Sequence, residues 1–192
     1  MSNKLAAVRS SDTPEGDEEC QDTAHSDHAL AMIDPRKFRD VLSAYPTGVC
    51  VIAAQGTDGR KHAMVVGTFS SISLDPPLVG FCAAKKSSSW QGIAKVGRFC
   101  VSVLGHEQLE YCKRFAASSP DKFAGLSHRS SPGGQPILDD VLAWIDCETE
   151  VVHEVGDHVL VVGKVEQLEK EHDTLPLLFF GGKYHKIEGI NK

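Results

Sequence analysis

A cluster of serines next to two lysines is the first stretch of this sequence that could bind a ligand. Ser87, Ser88 and Ser89 follow Lys85 and Lys86 and precede an apolar pattern with helical spacing. Hydroxyl groups and free backbone N–H groups at the start of a helix, beside cations, suit an anion such as a phosphate. An ordinary helix N-cap flanked by solvated lysines is the alternative. The residue types leave both interpretations open.

A second candidate extends from residue 62 to residue 78, where small and hydroxylated residues interrupt a strand-like pattern. Gly67 would let another group approach its backbone closely. A flat aromatic ligand lying on such a strand could bond to main-chain N–H and C=O groups. The spacing alone favours the simpler interpretation, which is a strand with a tight corner.

A histidine in a turn is the third candidate. His158 follows Gly156 and Asp157, and a lone turn histidine is more often a surface residue than a catalytic one. An adjacent carboxylate could nevertheless hold one tautomer of its ring. His153 lies nearby, but no third ligand has the spacing of a metal site, so we expect no bound metal.

The six cysteines give no sign of a metal or redox motif. They form no Cys-x-x-Cys pair, and most lie within apolar runs, as Cys50 does between Val49 and Val51. We therefore expect small buried residues in a reducing cytosol rather than a catalytic thiol.

The charge of the chain is concentrated at its N-terminus. Residues 1–33 hold seven acidic and two basic side chains, a net charge of −5, whereas all 192 residues carry −6. The near-neutral remainder lacks the basic face that nucleic-acid binding needs. The tail cannot bury enough apolar surface to offset its ordering entropy, so we expect disorder over 1–33 and one domain over 34–192. An arm that folds over a partner subunit is the alternative for the tail.

Hydropathy argues against membrane contact and export. No apolar run is long enough to cross a bilayer, and no apolar signal segment opens the chain. We therefore expect a cytoplasmic protein.

Turn signals divide the body into about eight strands and a few short helices. We expect helices at 34–45, just after 87–89 and at 107–115, and a loop at 127–135. The expected strands are 49–54, 62–73, 78–83, 98–104, 143–153, 159–168, 177–180 and 184–187. Because the strands follow one another without βαβ alternation, and no Gly-x-Gly-x-x-Gly motif follows a strand, we predict a mainly β antiparallel barrel and no Rossmann domain.

Six segments occur in an order that is more specific than any one of them. They are Tyr45-Pro46-Thr47-Gly48-Val49, the runs 70–78 and 97–104, Asp121-Lys122-Phe123-Ala124-Gly125, Gly156-Asp157-His158 and Gly182-Lys183-Tyr184. Over about residues 34 to 188 the chain thereby resembles the flavin reductase-like family of FMN-binding split barrels. Members of this family are the short-chain reductase components of two-component flavin monooxygenases.

The resemblance implies a homodimeric split barrel, with each flavin site close to the subunit interface. It also implies an NAD(P)H-dependent reductase of FMN or FAD whose reduced flavin serves an oxygenase partner. Hydride would pass from the nicotinamide C4 to the flavin N5, without a protein nucleophile.

The resemblance further implies contacts at named positions. The isoalloxazine ring would lie on His62, Ala63, Met64 and Val65, with Cys82, Ala83 and Ala84 on the neighbouring strand. Ser88 and Ser89, with Lys85, would hold the flavin phosphate. Gly67, Thr68 and His158 would face the nicotinamide of NADH or NADPH, which His158 would orient, and Tyr184 would lie near the same cleft.

One segment departs from the family pattern. Many members read Met-Thr-Ala-Asn-Ser-Phe where this chain has Met64-Val65-Val66-Gly67-Thr68-Phe69. Little is lost if the flavin contacts there are main-chain; if they are side-chain, flavin affinity or the choice between FMN and FAD changes. The departure keeps open a non-catalytic split barrel that binds a flavin or another planar cofactor.

Two further alternatives lack support in the sequence. An oxidase of the pyridoxamine-phosphate type would need a basic pocket for the substrate phosphate, which the residue pattern does not reveal. No arginine cluster marks a site for a 2′-phosphate, which favours NADH over NADPH.

Overall fold

The computed structural model describes residues 32–117, 119 and 121–187. Nearly all of the predicted acidic tail therefore lies outside the described residues. Within them the chain forms three α-helices and twelve strands. The helices are α1 (Pro35–Ser43), α2 (Ser88–Val96) and α3 (Leu109–Ala116). The strands are β1 (Thr47–Gly48), β2 (Cys50–Gln55), β3 (Lys61–Val66), β4 (Ser70–Leu74), β5 (Pro77–Ala84), β6 (Arg98–Val103), β7 (His128–Ser130), β8 (Pro136–Leu138), β9 (Ala143–Val155), β10 (His158–Lys170), β11 (Leu177–Phe180) and β12 (Lys183–Lys186).

Seven of the strands form one antiparallel sheet in the order β3-β2-β6-β9-β10-β5-β4. The two edge strands, β3 and β4, are consecutive in the chain and are joined by residues 67–69 alone. So short a connection spans at most about 14 Å, so the sheet must curl until its edges approach each other. The edges do not pair with each other in the described sheet, which leaves a split. The predicted antiparallel split barrel is confirmed, with two sheet edges left unpaired.

Two sequence-based boundaries also need correction. The predicted strand 62–73 is two strands, because the chain leaves the β2 ladder after Val66 and rejoins the sheet at its opposite edge beside β5. The predicted loop 127–135 contains β7, which forms a two-stranded hairpin with β8. The remaining expected strands and helices are confirmed within a few residues at their ends, and a second, three-stranded sheet pairs β1, β11 and β12.

The core has two parts because β2 is buried on both faces. Alternate side chains of a strand point to opposite sides. Ile52 accordingly packs inside the barrel with Phe81 and Phe99, whereas Val51 packs outside it with Phe115 of α3. Burial on both faces explains why β2 reads as a continuous apolar run rather than an alternating one.

A glycine on β10 leaves space for the Phe99 ring at the centre of the barrel. A Cβ at Gly163 would overlap the ring of Phe99, which is fully buried and packs edge-on against Phe81 with ring centroids 5.4 Å apart. The ring of Phe81 also meets Trp90 of α2 edge-on, so this helix is fixed to the barrel by an aromatic contact.

The first helix begins where the sequence predicts. Asp34 accepts a hydrogen bond from the backbone N–H of Arg36 at 3.0 Å, and Pro35 occupies the first turn. The apolar stripe on this helix, however, is not buried by the described residues. Phe38, Val41 and Leu42 of the helix are 52–60% exposed, and Tyr45, just beyond its end, is 74% exposed.

No helix among the described residues is long and apolar enough to cross a bilayer.

Two leucines test the position of the core. Leu104 is fully buried in the outer part of the core, whereas Leu74 at the end of β4 is 94% exposed. Leu104→Ala should lower the free energy of unfolding by about 2–5 kcal/mol through lost burial and a new cavity. Leu74→Ala should change it by about 0.5 kcal/mol or less. Urea unfolding of both variants measures the difference, and equal losses would contradict this assignment of the core.

Candidate functional site

The predicted ring-binding strand is an edge strand. β3 pairs with β2, with Ala63 opposite Ala53 and Val65 opposite Val51, and no described strand pairs with its outer edge. Main-chain groups along that outer edge make no bonds to another described strand, although the carbonyl of Ala63 lies 3.4 Å from the Lys122 ammonium group. Ala63 is buried, while the side chains of His62, Met64 and Val65 are partly exposed.

The other predicted ring-lining residues lie on β5. Cys82, Ala83 and Ala84 pair with Leu160, Val159 and His158 of β10. The hydroxyl of Thr68 accepts a hydrogen bond from the backbone N–H of Cys82 at 2.9 Å and lies 3.4 Å from its carbonyl oxygen. The Thr68 side chain thus fixes the 67–69 connection to β5, next to the split.

One residue of the serine cluster caps helix α2, and the other two line a cavity. Ser87 is the N-cap of α2 and accepts a hydrogen bond from the backbone N–H of Trp90 at 3.2 Å. The hydroxyls of Ser88 and Ser89 are not needed for this cap, and both residues line a cavity of about 230 Å³. The N-cap interpretation therefore holds for Ser87, and phosphate binding by Ser88 and Ser89 stays a prediction.

This cavity, which we call the cationic pocket, is lined by four basic side chains and the two serines. The basic side chains are Arg60, Lys61, Lys95 and Lys122, and Ser88, Ser89, His62, Ala63, Gln91, Gly92 and Ser119 complete the lining. No carboxylate is part of this lining within the described chain. A concentration of cations and hydroxyls without a carboxylate suits a phosphate group.

Sequence reasoning missed all four basic side chains, Arg60, Lys61, Lys95 and Lys122. Lys95 lies two turns beyond the serines on the same helix, a spacing that could have pointed to it. Arg60 and Lys61 follow the Asp58-Gly59 hairpin turn. Lys122 comes from a loop far along the chain, so only the fold brings it here.

A glycine of α2 sets the contact between this helix and β3. A Cβ at Gly92 would overlap the imidazole ring of His62, so the ring lies directly on the helix backbone. Burial, followed by the charge of Arg60, lowers the pKa of His62 and favours its neutral form. The ring therefore joins the ring-binding strand to the cationic pocket without adding to the charge of the pocket.

Lys85 lies apart from the cationic pocket. Its ammonium group pairs with Glu154 of β9 at 2.9 Å, and its backbone N–H donates to the carbonyl of Asp157 at 3.1 Å. Lys85 thus belongs to the turn that carries His158, and it is not among the residues that line the cavity with Ser88 and Ser89.

His158 begins β10 and lies opposite Ala84 of β5. Its Nδ1 is 2.7 Å from a carboxylate oxygen of Asp157, and this hydrogen bond together with the charge of His158 lowers the pKa of Asp157. The adjacent carboxylate therefore holds the imidazole in one orientation, as the sequence suggested. The ring remains partly exposed and accessible to a ligand.

Gly67 and Tyr184 make contacts within the chain itself. A Cβ at Gly67 would lie 2.7 Å from the hydroxyl oxygen of Thr47, so the close approach expected at this glycine is made by the β1 segment. Tyr184 lies on β12 in the three-stranded sheet, edge-on to Phe179 with centroids 5.2 Å apart. Burial, followed by the charge of the nearby Cys112 thiol, raises the pKa of Tyr184, and Tyr184 does not line the cationic pocket.

Four of the five described cysteines are buried. Burial raises the pKa of Cys50 and of Cys147 to about 12, and it also raises the pKa values of Cys100 and Cys112. These thiols stay protonated at neutral pH, as the interpretation of buried structural residues expects. In the described residues, no group of three or more His, Cys, Asp or Glu side chains could hold a metal ion.

The donors present fit a flavin. The cationic pocket offers hydroxyls and cations for a phosphate, and it shares His62 and Ala63 with the unpaired edge of β3. A planar ring along that edge and a phosphate in the pocket would therefore be held by adjacent residues.

Comparisons with known proteins show which family the chain belongs to. Residues 42–188 match the family described as flavin reductase like domain. The chain is 50% identical over 160 residues to a flavin reductase of Pseudomonas putida, covering 83% of this chain and 94% of that protein. It is 46% identical over 160 residues to the HsaB reductase subunit of a flavin-dependent monooxygenase of Rhodococcus jostii, covering 83% and 82%.

A solved structure shows the same architecture with cofactor fragments bound. The NADH:FAD oxidoreductase SgcE6 of Streptomyces globisporus, in complex with NAD and FAD fragments, aligns with a TM-score of 0.78. The alignment covers 84% of this chain and 99% of that one at 28% identity. The chain therefore belongs to the flavin reductase-like family and is a flavin-reducing oxidoreductase.

Proposed function

We propose that the protein uses NAD(P)H to reduce FMN or FAD and that the reduced flavin passes to a separate flavin-dependent oxygenase. The observation that carries the proposal is the adjacency of the cationic pocket to the free edge of β3. Because the relatives named above include a monooxygenase reductase subunit, an oxygenase is the partner that fits this activity.

In this proposal two strands and one helix hold the flavin. Residues 62–65 of β3 and 82–84 of β5 contact the ring, and Ser88 and Ser89 bind the phosphate within the field of the four basic side chains. When bound, the flavin supplies the redox chemistry by accepting a hydride at N5 from C4 of the nicotinamide. His158, oriented by Asp157, positions the nicotinamide and transfers no proton. Gly67 and Thr68 border the nicotinamide side of the split.

The departure from the family pattern at Val65 and Val66 is compatible with flavin binding. Val66 is buried inside the barrel opposite Cys50, and Val65 packs against the outer part of the core. Because Val66 is buried and Val65 is partly buried against the core, ligand contacts at these positions would come mainly from the main chain. The departure is therefore compatible with flavin binding and does not by itself separate the reductase from a barrel that binds flavin without reducing it.

We further propose a homodimer in which α1 contacts the second copy of the chain. The stripe Phe38, Val41, Leu42 and Tyr45 is more than half exposed in one chain, and apolar surface of this kind favours association. A second copy is the occupant that the family resemblance implies. Light scattering on the pure protein tests the dimer, and a monomer at micromolar concentration would contradict it.

We place the protein in the cytoplasm, where the five described cysteines would remain reduced as the structure has them. Neither a membrane nor a nucleic acid is part of the proposal.

Steady-state kinetics with both flavins and both nicotinamides tests the function directly. NADH with FMN or FAD should give steady loss of the nicotinamide absorbance band, and we expect NADH to be preferred to NADPH. Flavin binding without oxidation of either nicotinamide would instead support the non-catalytic binding protein.

The serine hydroxyls should matter only for flavins that carry a phosphate. Replacing Ser88 and Ser89 with Ala should weaken FMN binding far more than riboflavin binding, by at most about 1.5–3 kcal/mol for each lost charge-assisted hydrogen bond. Fluorescence titration of both ligands measures the two affinities. Ser130→Ala, at an exposed position on β7, is the matched control. Equal weakening of FMN and riboflavin would place the phosphate elsewhere.

The turn histidine should affect the nicotinamide and not the flavin. His158→Ala should raise the KM for NADH or lower kcat while flavin affinity stays close to that of the wild type, since the ring lies beside β5 and outside the cationic pocket. His153→Ala, an exposed histidine on the same hairpin, should leave the kinetics unchanged. Loss of flavin affinity with unaltered NADH kinetics would reverse the assignment of the two halves of the site.

A further inference from the structure

The loop between α3 and β7 places Lys122 between the two halves of the proposed flavin site, which are the ring-binding strand β3 and the serines at the start of α2. The carboxylate of Asp121 accepts a hydrogen bond from the backbone N–H of Phe123 at 2.9 Å, which closes a tight turn around Lys122. Phe123 is buried against the ring of Phe115, with centroids 5.2 Å apart. The turn and the aromatic anchor together direct the Lys122 side chain toward the cationic pocket.

The ammonium group of Lys122 bonds to three acceptors from three different elements. Its Nζ lies 2.6 Å from the carbonyl oxygen of Phe115 on α3, 3.2 Å from the hydroxyl oxygen of Ser89 on α2 and 3.4 Å from the carbonyl oxygen of Ala63 on β3. A lysine has three N–H donors, so this set uses all of them. Burial lowers the pKa of Lys122, and in the described chain no carboxylate forms an ion pair with it.

The hydrogen bond from Lys122 to Ser89 determines whether the serine hydroxyl can donate a hydrogen bond to a ligand. A hydroxyl has one hydrogen to donate and lone pairs to accept with. Because the Ser89 oxygen accepts from Lys122, its own hydrogen must point elsewhere, and no described group accepts it. Ser89 lines the cationic pocket, so this hydrogen is available to an anion there.

The bonds to Ala63 and Ser89 also join two segments that contact different parts of the same ligand. Ala63 is on the strand proposed to hold the flavin ring, and Ser89 is on the helix proposed to hold its phosphate. These residues are 59 and 33 positions away from Lys122 in sequence. A single, partly buried cation therefore fixes the spacing between the ring-binding strand and the phosphate-binding helix.

We propose that Lys122 is a positioning residue that turns the Ser89 hydroxyl toward the flavin phosphate and sets the distance between the two halves of the site. This proposal rests on the proposed flavin site. Lys122 acts through Ser89, because its own N–H groups are all used within the protein.

A double-mutant cycle on FMN affinity tests the proposal. Lys122→Met removes the donors at similar length, and it should weaken FMN binding about tenfold, the effect of one hydrogen bond to a charged group. Riboflavin binding should change much less. Ser89→Ala should cost a similar factor in the wild type but little in the Lys122→Met background, because the two residues act as a unit. Lys113→Met is the control, because among the described residues the Lys113 ammonium group bonds only to Glu110 on the surface of α3.

Three results would overturn the proposal. Additive effects of the two substitutions would mean that Lys122 does not act through Ser89. Equal loss of FMN and riboflavin affinity would mean that Lys122 only supports the fold. If Lys122→Met does not fold, Lys122→Arg replaces it, because arginine keeps the charge but not the three hydrogen bonds of the lysine. The proposal then expects a lower ratio of FMN to riboflavin affinity at a near wild-type thermal midpoint. An unchanged ratio would refute the proposal. No effect of Ser89→Ala in the wild type would instead refute the phosphate site itself.

Discussion

A three-residue connection constrains the whole molecule. A flat sheet of seven strands would separate β3 from β4 by about 29 Å, which is far more than residues 67–69 can span. The sheet therefore curls, its inner face closes over Phe81 and Phe99, and its two edges approach each other without pairing. The bond from Cys82 to the Thr68 hydroxyl holds the connection against β5. The remaining features of the site depend on the split that this curl leaves.

In the proposed site, the edge of β3 beside the split serves as a binding surface. An unpaired strand edge ordinarily invites pairing with another chain, and proteins protect such edges by covering them. Here α2 lies beside the edge of β3, with Gly92 against the His62 ring, and brings its first turn to the end of the strand. Serines and lysines converge there, so the covering elements themselves provide the cationic pocket. A ligand with a planar ring and a phosphate matches both parts.

The two ends of the proposed site differ in charge. The cationic pocket gathers four basic side chains and has no carboxylate in its described lining, whereas the His158 turn contains Asp157 and a Lys85–Glu154 ion pair. Charge at the first end is uncompensated and suits an anion. Charge at the second end is largely balanced and suits orientation of a neutral group. This difference agrees with a phosphate at one end and a nicotinamide at the other.

Local signals in the sequence were enough for the elements that depend on local chemistry. Asp34 and Pro35 predicted the start of α1, Asp58-Gly59 predicted the first hairpin, and the serine cluster predicted the start of α2, because caps and turns involve neighbouring residues. The order of the six motifs also predicted the family and the split barrel. Tertiary structure alone decided that Lys85 pairs with Glu154, that residues 62–73 divide between opposite sheet edges, and that Lys122 reaches Ser89 and Ala63. Those outcomes depend on contacts between residues far apart in the chain, which exist only after the sheet has curled.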